Sequence, residues 1–307
     1  MSGDGGARAA PSCGLGTSTG MPVDLGDGVW QFQTALWQTN SVLAVRDGAA
    51  LVCDPTFTPS EIESIRGEAK RRASGSVHLL VTHSDFDHTC GIGLFPAAVV
   101  VAGPETAEEI RSGRAAAELR SYGPEWDVEW PAELRVDLVV EPGRELTLGP
   151  FRVEALDTRG HQSDGLGYVL LDHGVLLPGD YLSAVTYPFV LSSLSGARAT
   201  LERLLEALER HQLRWVVPGH GPVLTPAEAR TVGRADLAYL ERLDAAAREA
   251  LTVGLAPGHA IVAVYAVEPP RSTTDDFEIY GLRESNARRA VAEAAGVAGA
   301  ASPPRSG

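Results

Sequence analysis

The residues best suited to chemistry lie in one short segment, His83–His88, whose sequence HSDFDH places four metal-capable side chains within six positions. Imidazole nitrogens and carboxylate oxygens are the groups that hold zinc and related divalent cations in proteins. An apolar run over residues 77–82 precedes the segment and is typical of a buried strand, while Gly91 and Gly93 indicate a turn into a helix. A solvated acidic turn would also fit these residues alone, but the crowding favours a metal site in a strand-to-helix loop.

Three further segments repeat this arrangement, since in each an apolar run delivers one His or Asp to a glycine-rich turn. The side chains delivered in this way are His161, Asp180 and His220. Loops at the carboxyl ends of strands are where layered α/β folds build their ligand sites, so we expect these side chains to meet the first segment. The repetition favours a metal centre over surface decoration.

Together these segments resemble the metallo-β-lactamase-fold hydrolases, whose signature is His-x-His-x-Asp-His followed along the chain by a His, an Asp and a His. The signature maps in order onto His83, Asp85, Asp87, His88, His161, Asp180 and His220. Asp54, at the end of the apolar run 49–53, resembles the structural aspartate that the family carries near its metal loop. The resemblance covers residues 23–225 and is specific for fold and site, but weakly specific for substrate.

The sequence departs from the family pattern at Asp85, which stands where the family usually has its second histidine. The related flavodiiron proteins carry a glutamate there and bind iron, so a carboxylate at this position can be a ligand. We expect Asp85 to ligate, since a carboxylate left uncoordinated beside two cations would be an unusual remnant. The first set of ligands would then be His83, Asp85, His161 and Asp180, and the second set Asp87, His88, His220 and the same Asp180. If the shorter side chain of Asp85 does not reach the metal, a single ion held by the second set of ligands remains.

The exchange of an imidazole for a carboxylate changes the metal that we expect. It makes the first set harder and adds a negative charge, which suits manganese and iron better than an all-histidine set. Zinc still accepts mixed nitrogen and oxygen ligands, so the expected cofactors are two divalent ions, with zinc as the default and iron or manganese as alternatives. The added charge should also make a bound water less acidic and raise the pH optimum.

The activity that the resemblance implies is metal-assisted hydrolysis, in which a metal-bound hydroxide attacks a carbonyl or phosphoryl centre. Metal coordination lowers the pKa of water from about 15.7 to about 7, so the nucleophile exists at neutral pH. Asp87 is expected to orient that hydroxide, as its family counterpart does, which makes it the candidate catalytic residue. The expected substrate is a small ester, thioester or lactone. Two alternatives stay open: an iron-dependent oxidoreductase of the same fold, and a metal-binding protein with little catalysis.

Net charge, apolar runs and cysteine spacing restrict the partners and the cellular location that we expect for this protein. The net charge of −14 argues against a nucleic acid partner, because binding that polymer is largely neutralisation of phosphates by Lys and Arg. Apolar runs fall short of the roughly 20 residues of a membrane span, and the first residues lack a basic region followed by an apolar core. The three cysteines form no Cys-x-x-Cys pair, which favours a reducing compartment. We therefore expect a cytoplasmic enzyme that acts on a small molecule; its oligomeric state is not indicated.

Strand-like and helix-like segments alternate along the chain, which predicts an α/β fold. The resemblance implies the four-layer αβ/βα sandwich of the metallo-β-lactamase fold, with the site at one edge between two sheets. The expected divisions are a disordered leader over 1–20, a catalytic domain over 23–225, a C-terminal helical extension over 226–296 and a disordered tail over 297–307.

Local signals place three helices. Thr58 and Thr225 each precede a proline and stand three residues before a glutamate, which predicts capping boxes that open helices to about Arg72 and Leu251. Leucines at 201, 204, 205 and 208 recur with helical spacing and predict an amphipathic helix over 199–211.

Two segments, residues 121–131 and 181–194, are expected to shape the substrate pocket because both bring aromatic residues near the motif loops. The candidate pocket residues are Tyr122, Trp126, Tyr181, Tyr187 and Phe189. If they line the pocket, the substrate is partly apolar, such as an acyl or aromatic ester. The alternative, that these aromatics fill the core under a long loop, is equally open.

Overall fold

The computed structural model describes residues 21–126, 128–131, 133–273, 277 and 281–296, with residues 124–126 described by their backbone. The leader over 1–20 and the tail over 297–307, both predicted to be disordered, lie outside the described residues, as does the side chain of Trp126.

The first of two β-sheets has seven strands within the described residues, and they lie side by side in chain order. Its strands are β1 (Val23–Gly26), β2 (Val29–Gln33), β3 (Asn40–Arg46), β4 (Ala49–Cys53), β5 (Val77–Leu80), β6 (Val99–Ala102) and β7 (Leu138–Val139). Strands β1 to β4 pair antiparallel, and β4 to β7 pair parallel. Strand β4 is buried along its whole length and β5 nearly so, which is typical of parallel strands that are covered on both faces.

The second sheet has five strands within the described residues, in the order β12-β11-β10-β9-β8. These strands are β8 (Glu145–Leu148), β9 (Phe151–Asp157), β10 (Leu166–Leu170), β11 (Val175–Leu177) and β12 (Trp215–Val216). Strands β8 to β11 pair antiparallel, and β11 pairs parallel with β12. Strands β9, β11 and β12 therefore run in the same direction, and their carboxyl ends share one edge.

Alternation along the strands divides the apolar residues between two cores, because successive strand residues point to opposite faces. Leu80 of β5 joins Val153 and Tyr168 of the second sheet in a core that lies between the sheets. Its neighbour Leu79 joins a second core together with Ile62, a helical residue. Layers of helix, sheet, sheet and helix result, which confirms the αβ/βα sandwich expected from the sequence.

The helices of the described residues cover the outer faces of the sheets and form the C-terminal region. They are α1 (Pro59–Arg72), α2 (Phe86–Thr89), α3 (Pro104–Arg111), α4 (Arg114–Trp126), α5 (Leu194–Arg210), α6 (Pro226–Thr252), α7 (Pro257–Tyr265) and α8 (Leu282–Ala294). Helix α1 packs on β3 and β4, while α5 packs on β9 and on α6. Helices α6, α7 and α8 pack on one another, and α8 also contacts α5.

The predicted helix signals are confirmed with one change of boundary. Thr58 and Thr225 cap α1 and α6 in capping boxes, each with its glutamate three residues later. Helix α5 begins at Leu194 rather than at residue 199, because the Ser193 hydroxyl accepts a hydrogen bond of 2.9 Å from the Gly196 N–H and caps it earlier. The division at residue 226 stays a prediction.

Within the described part of the chain, none of the helices combines the length and apolar character needed to cross a membrane. Cys53 and Cys90 are buried and free. The cytoplasmic location stays a prediction.

Candidate metal centre

Each candidate side chain lies just after the carboxyl end of a strand. Strand β5 leads into the segment His83–His88, of which α2 forms the last turn, and in the second sheet β9, β11 and β12 lead to His161, Asp180 and His220. The two sheets are tied together at this edge, since the Leu166 N–H donates a hydrogen bond of 2.7 Å to the Thr82 carbonyl. Strand direction alone therefore brings four segments that are distant in sequence to one place.

Two compact groups of metal-capable side chains result, His83 with His161 and Asp180, and Asp87 with His88 and His220. Within each group the candidate ligand atoms lie within 4.8 Å of one another. Asp180 lies between the groups: its Oδ2 is 3.3 Å from the Nε2 atoms of both His161 and His220, and its Oδ1 is 3.2 Å from Nε2 of His88. This carboxylate is therefore in position to bridge two cations.

Asp85 falls within reach of the first group although it belongs to neither compact trio. Its Oδ2 lies 3.6 Å from Nε2 of His83 and 3.5 Å from Nε2 of His161. Two ligands that are each about 2.1 Å from a tetrahedral ion stand about 3.4 Å apart, so these separations match a shared cation. Oδ2 of Asp87 similarly lies 3.6 Å from Nε2 of both His88 and His220.

The outer ring nitrogens of the histidines are all held by other groups. Nδ1 of His161 donates to the Phe189 carbonyl at 2.6 Å, and Nδ1 of His220 donates to the Trp37 carbonyl at 3.1 Å. Nδ1 of His88 lies 2.9 Å from Oδ2 of Asp54, and that of His83 lies 3.0 Å from the Thr82 hydroxyl. Carbonyl and carboxylate oxygens only accept, so the partners of His161, His220 and His88 assign the proton to Nδ1 and turn the Nε2 lone pair inward. The Thr82 hydroxyl donates its own proton to Asp54, so it accepts from Nδ1 of His83 in the same way.

The inward-facing atoms lack hydrogen bonds. In the described part of the chain, the Nε2 atoms of His83, His88 and His161 and Oδ1 of Asp180 are buried without a hydrogen-bond partner. Nε2 of His88 and Oδ1 of Asp180 lie 3.2 Å apart, so a cation bound between them would satisfy both atoms. Buried polar atoms are normally satisfied, and metal ligation would satisfy all of these. The donor set therefore fits a metal ion.

Comparison with known proteins agrees with this chemistry, since a sequence model of the metallo-beta-lactamase superfamily matches residues 34–220. The chain belongs to that superfamily. It is 28% identical over 190 residues to the probable metallo-hydrolase YqgX of Bacillus subtilis (strain 168), a match that covers 60% of this chain and 86% of that protein. Family membership supports a hydrolase activity.

Solved structures of low sequence identity share the fold. A metallo-beta-lactamase family protein from Thermus thermophilus is similar with a TM-score of 0.61 at 21% identity, over 89% of this chain and 95% of that chain. The stereoselective inverting sec-alkylsulfatase Pisa1 from Pseudomonas sp. is similar with a TM-score of 0.65 at 14% identity, over 89% of this chain and 50% of that chain. At these identities the likeness concerns the metallo-beta-lactamase fold alone.

The Asp54 carboxylate holds the metal loop, residues 83–88, through hydrogen bonds to Thr82 and His88. Asp54 follows β4, the parallel neighbour of β5, so its carboxylate meets the start of the loop. Oδ1 accepts from the Thr82 N–H at 2.9 Å, and Oδ2 accepts from the Thr82 hydroxyl at 2.6 Å as well as from His88. The backbone of Asp54 has a φ of 44°, a conformation that Asp and Asn tolerate better than most residues. The structure therefore places Asp54 where the sequence predicted it.

The site attracts positive charge. Burial alone would lower the pKa of His88, but Asp87, Asp180 and Asp54 outweigh it and raise that pKa well above its ordinary value. Burial likewise works against the charged form of Asp180, yet His220 and His88 hold the pKa of Asp180 well below its ordinary value. Surplus carboxylates around buried imidazoles thus favour a bound cation.

Gly219 is required by the close approach of two loops. A Cβ atom at this position would lie 2.1 Å from Oδ1 of Asp180 and 3.1 Å from Cε1 of His88. No side chain fits there while Asp180 keeps its position, which explains the glycine beside His220.

Sequence reasoning missed three residues at the site. The Gln162 side chain donates a hydrogen bond of 2.5 Å to Oδ1 of Asp85. Asp164, which is buried, accepts from the Ser84 N–H at 2.8 Å and so holds the metal loop; burial raises its pKa. Phe277 lies edge-on to the His220 ring at 5.3 Å between centroids. Gln162 follows His161 directly in sequence, and that position could have identified it as a site residue. No local sequence pattern points to Phe277.

The predicted pocket aromatics differ in their surroundings. Tyr122 is buried and stacks on Phe86 at 3.9 Å, and Tyr187 is buried in the core. The Tyr181 hydroxyl accepts a hydrogen bond of 2.7 Å from the His161 N–H. Those three agree with the core-filling alternative, while Phe189 is partly buried with its ring 5.8 Å from that of His161.

Proposed function

We propose that this protein is a metal-dependent hydrolase that cleaves an ester, thioester or lactone of a small molecule, with two divalent ions and zinc as the first candidate. One observation carries the proposal. Buried Nε2 atoms of His83, His88 and His161 face carboxylates at ligand spacing without hydrogen bonds of their own. Bound cations would satisfy all of these atoms at once.

The two sets defined from the sequence would divide the ligands between two ions, and both ions would share Asp180. Support for Asp85 as a member of the first set comes from the separation of its Oδ2 from His83 and His161. Two cations that share a carboxylate are the arrangement that dinuclear hydrolases use to polarise an electrophile and hold a leaving group.

When bound, the ions would supply a water of lowered pKa and an electrophilic centre for the substrate oxygen. The protein's own residues hold the ligand rings in place and orient the attacking water. Asp87 accepts a hydrogen bond from the attacking water and aligns it, while its Oδ2 faces His88 and His220. The Nδ1 hydrogen bonds of the histidines keep their rings from turning as charge develops.

The surroundings of the site favour a partly apolar substrate. The partly buried ring of Phe189 lies beside His161, while the ring of Phe277 beside His220 is buried. Phe189 is therefore the ring that a substrate can reach. An acyl or aryl group can pack against such a ring, which supports esters, thioesters and lactones over highly charged phosphodiesters. The net charge of −14 adds repulsion against polyanions.

The test starts with the metal content of protein purified without added metal, followed by a panel of aryl esters, acyl thioesters, lactones and phosphodiesters. We expect up to two zinc or manganese ions per chain and hydrolysis of a carboxylic ester, thioester or lactone. Asp87→Asn should lose hydrolysis by at least about 100-fold, in the range of a lost positioning or proton-transfer group, while the exposed Asp24→Asn keeps it.

Three outcomes would contradict the proposal. Bound iron with oxygen-dependent turnover would favour the oxidoreductase alternative. Loaded protein that cleaves no member of the panel would leave a metal-binding protein. Protein that takes up no ion would remove the chemical basis of the proposal altogether.

A further inference from the structure

A single peptide group connects the candidate ligand His161 to the C-terminal helix α8. The carbonyl of Phe189 accepts the Nδ1–H of His161 at 2.6 Å. The N–H of Val190, which belongs to the same peptide group, donates to Oδ1 of Asn286 at 2.7 Å. Because a trans peptide is planar with its C=O and N–H on opposite sides, fixing the N–H also fixes the direction of the carbonyl.

The Asn286 side chain forms two hydrogen bonds to this segment. Besides accepting from Val190, its Nδ2 donates to the Pro188 carbonyl at 2.6 Å. The two contacts flank Phe189, so the peptide between Phe189 and Val190 cannot rotate without breaking one of them. The Asn286 side chain is fully buried, where a lost hydrogen bond leaves a desolvated partner behind.

Other residues of α8 hold the same stretch of chain. The Ser285 hydroxyl donates to the Val190 carbonyl at 3.1 Å, and the Glu293 carboxylate accepts from the Leu194 N–H at 2.5 Å. The stretch in turn holds the backbone of His161, whose carbonyl accepts from the Leu191 N–H at 3.0 Å. Residues 188–195 thus lie between α8 and His161 and bond to both.

We propose that Asn286 is a positioning residue for the metal centre, which aims His161 through the peptide between Phe189 and Val190. The inference rests on the proposed function, since it requires a cation at the first set. The second set is not linked in this way, because Nδ1 of His88 is held by Asp54 and Nδ1 of His220 by the Trp37 carbonyl. Cation affinity should therefore depend on Asn286 at the first set and not at the second.

The expected size of the effect follows from the position of Asn286 in the chain of contacts. Removing the direct partner of a ligating histidine typically weakens metal binding on the order of 10- to 100-fold. Asn286 contacts His161 only through the intervening peptide group, so we expect zinc affinity at the first set to fall about 10-fold, at the low end of that range.

The test compares Asn286→Leu, which removes both hydrogen bonds at similar volume, with Val291→Ala as a matched control. Val291 is a buried residue of the same helix, and its side chain has no polar atom. Its truncation therefore weakens the packing of α8 without removing a hydrogen bond to residues 188–195. Metal-free protein is titrated with zinc against a chromophoric chelator, which gives two dissociation constants. Unfolding temperatures are measured with and without zinc.

For Asn286→Leu we expect one dissociation constant to rise about 10-fold with the other unchanged, and zinc to raise the unfolding temperature by less than in the wild type. For Val291→Ala we expect lower unfolding temperatures in both states and unchanged dissociation constants. If Asn286→Leu does not fold, Asn286→Ala decides by the same comparison, since it also removes both hydrogen bonds and adds no bulk.

Unchanged dissociation constants in the Asn286 variant, or the same change in Val291→Ala, would overturn this inference and leave the proposed function standing. Wild-type protein that takes up neither zinc nor manganese in the same titration would overturn both.

Discussion

Gln162 donates a hydrogen bond of 2.5 Å to Oδ1 of Asp85, and the other oxygen of that carboxylate faces His83 and His161. Asp85 is the one departure from the superfamily pattern, and the aspartate side chain is shorter than that of histidine. Its orientation therefore decides whether it reaches a cation. Gln162 thus holds Oδ1 and turns Oδ2 toward the two histidines. Under the proposed function, the pair Asp85 and Gln162 would take the place of a single imidazole.

We expect Gln162→Leu to weaken zinc binding at the first set on the order of 10- to 100-fold, because Asp85 would lose the contact that fixes its rotation. A competition titration measures the change. Gln212→Leu is the matched control, since Gln212 is exposed in the loop before β12. Equal affinities in all three proteins would show that Asp85 needs no support.

We expect Asp54→Asn to weaken zinc binding at the second set on the order of 10- to 100-fold, because an amide has a single acceptor oxygen. It cannot accept from the Thr82 N–H at one end and from the Thr82 hydroxyl and Nδ1 of His88 at the other. Asparagine tolerates the left-handed backbone of Asp54, so the substitution tests the acceptor rather than the turn. The control is Asp47→Asn, at an exposed position with a φ of 45°. An unchanged titration in Asp54→Asn would contradict the role of this carboxylate.

We expect Gly219→Ala to abolish uptake of the second ion and hydrolysis, because its Cβ would occupy the space of Oδ1 of Asp180. Gly67→Ala is the control: Gly67 is an exposed residue of α1 where an added Cβ would meet no atom within 4 Å, and an alanine there should stabilise the helix by roughly 0.5–1 kcal/mol. Zinc content after dialysis and the unfolding temperature separate the two effects. Two retained ions in Gly219→Ala would contradict the predicted displacement of Asp180.

We expect Asp85→His to shift the acidic limb of the pH–activity profile to lower pH. The change removes one negative charge from the first set, and a cation with fewer anionic ligands acidifies a bound water more strongly. The profile is recorded on the best substrate of the panel, with zinc content checked for both proteins. A shift to higher pH would argue against this charge effect.

Local patterns predicted much of the fold and the members of the site. Apolar runs ending in glycine-rich turns located β5, β9 and β11, and capping boxes located the starts of α1 and α6, because such signals act over a few residues. The same runs placed the candidate His and Asp residues at strand ends. The start of α5 was misjudged because its leucine periodicity begins later than its serine cap.

The sequence by itself determined which ligand types this protein carries, the order in which they follow the strands, and the anomaly at Asp85. Only the tertiary structure decided how those side chains are aimed. Gln162 meets Asp85 across 77 positions of the chain, and Asn286 meets Val190 across 96. Side-chain direction in a buried site depends on such distant hydrogen bonds, and no local pattern encodes them.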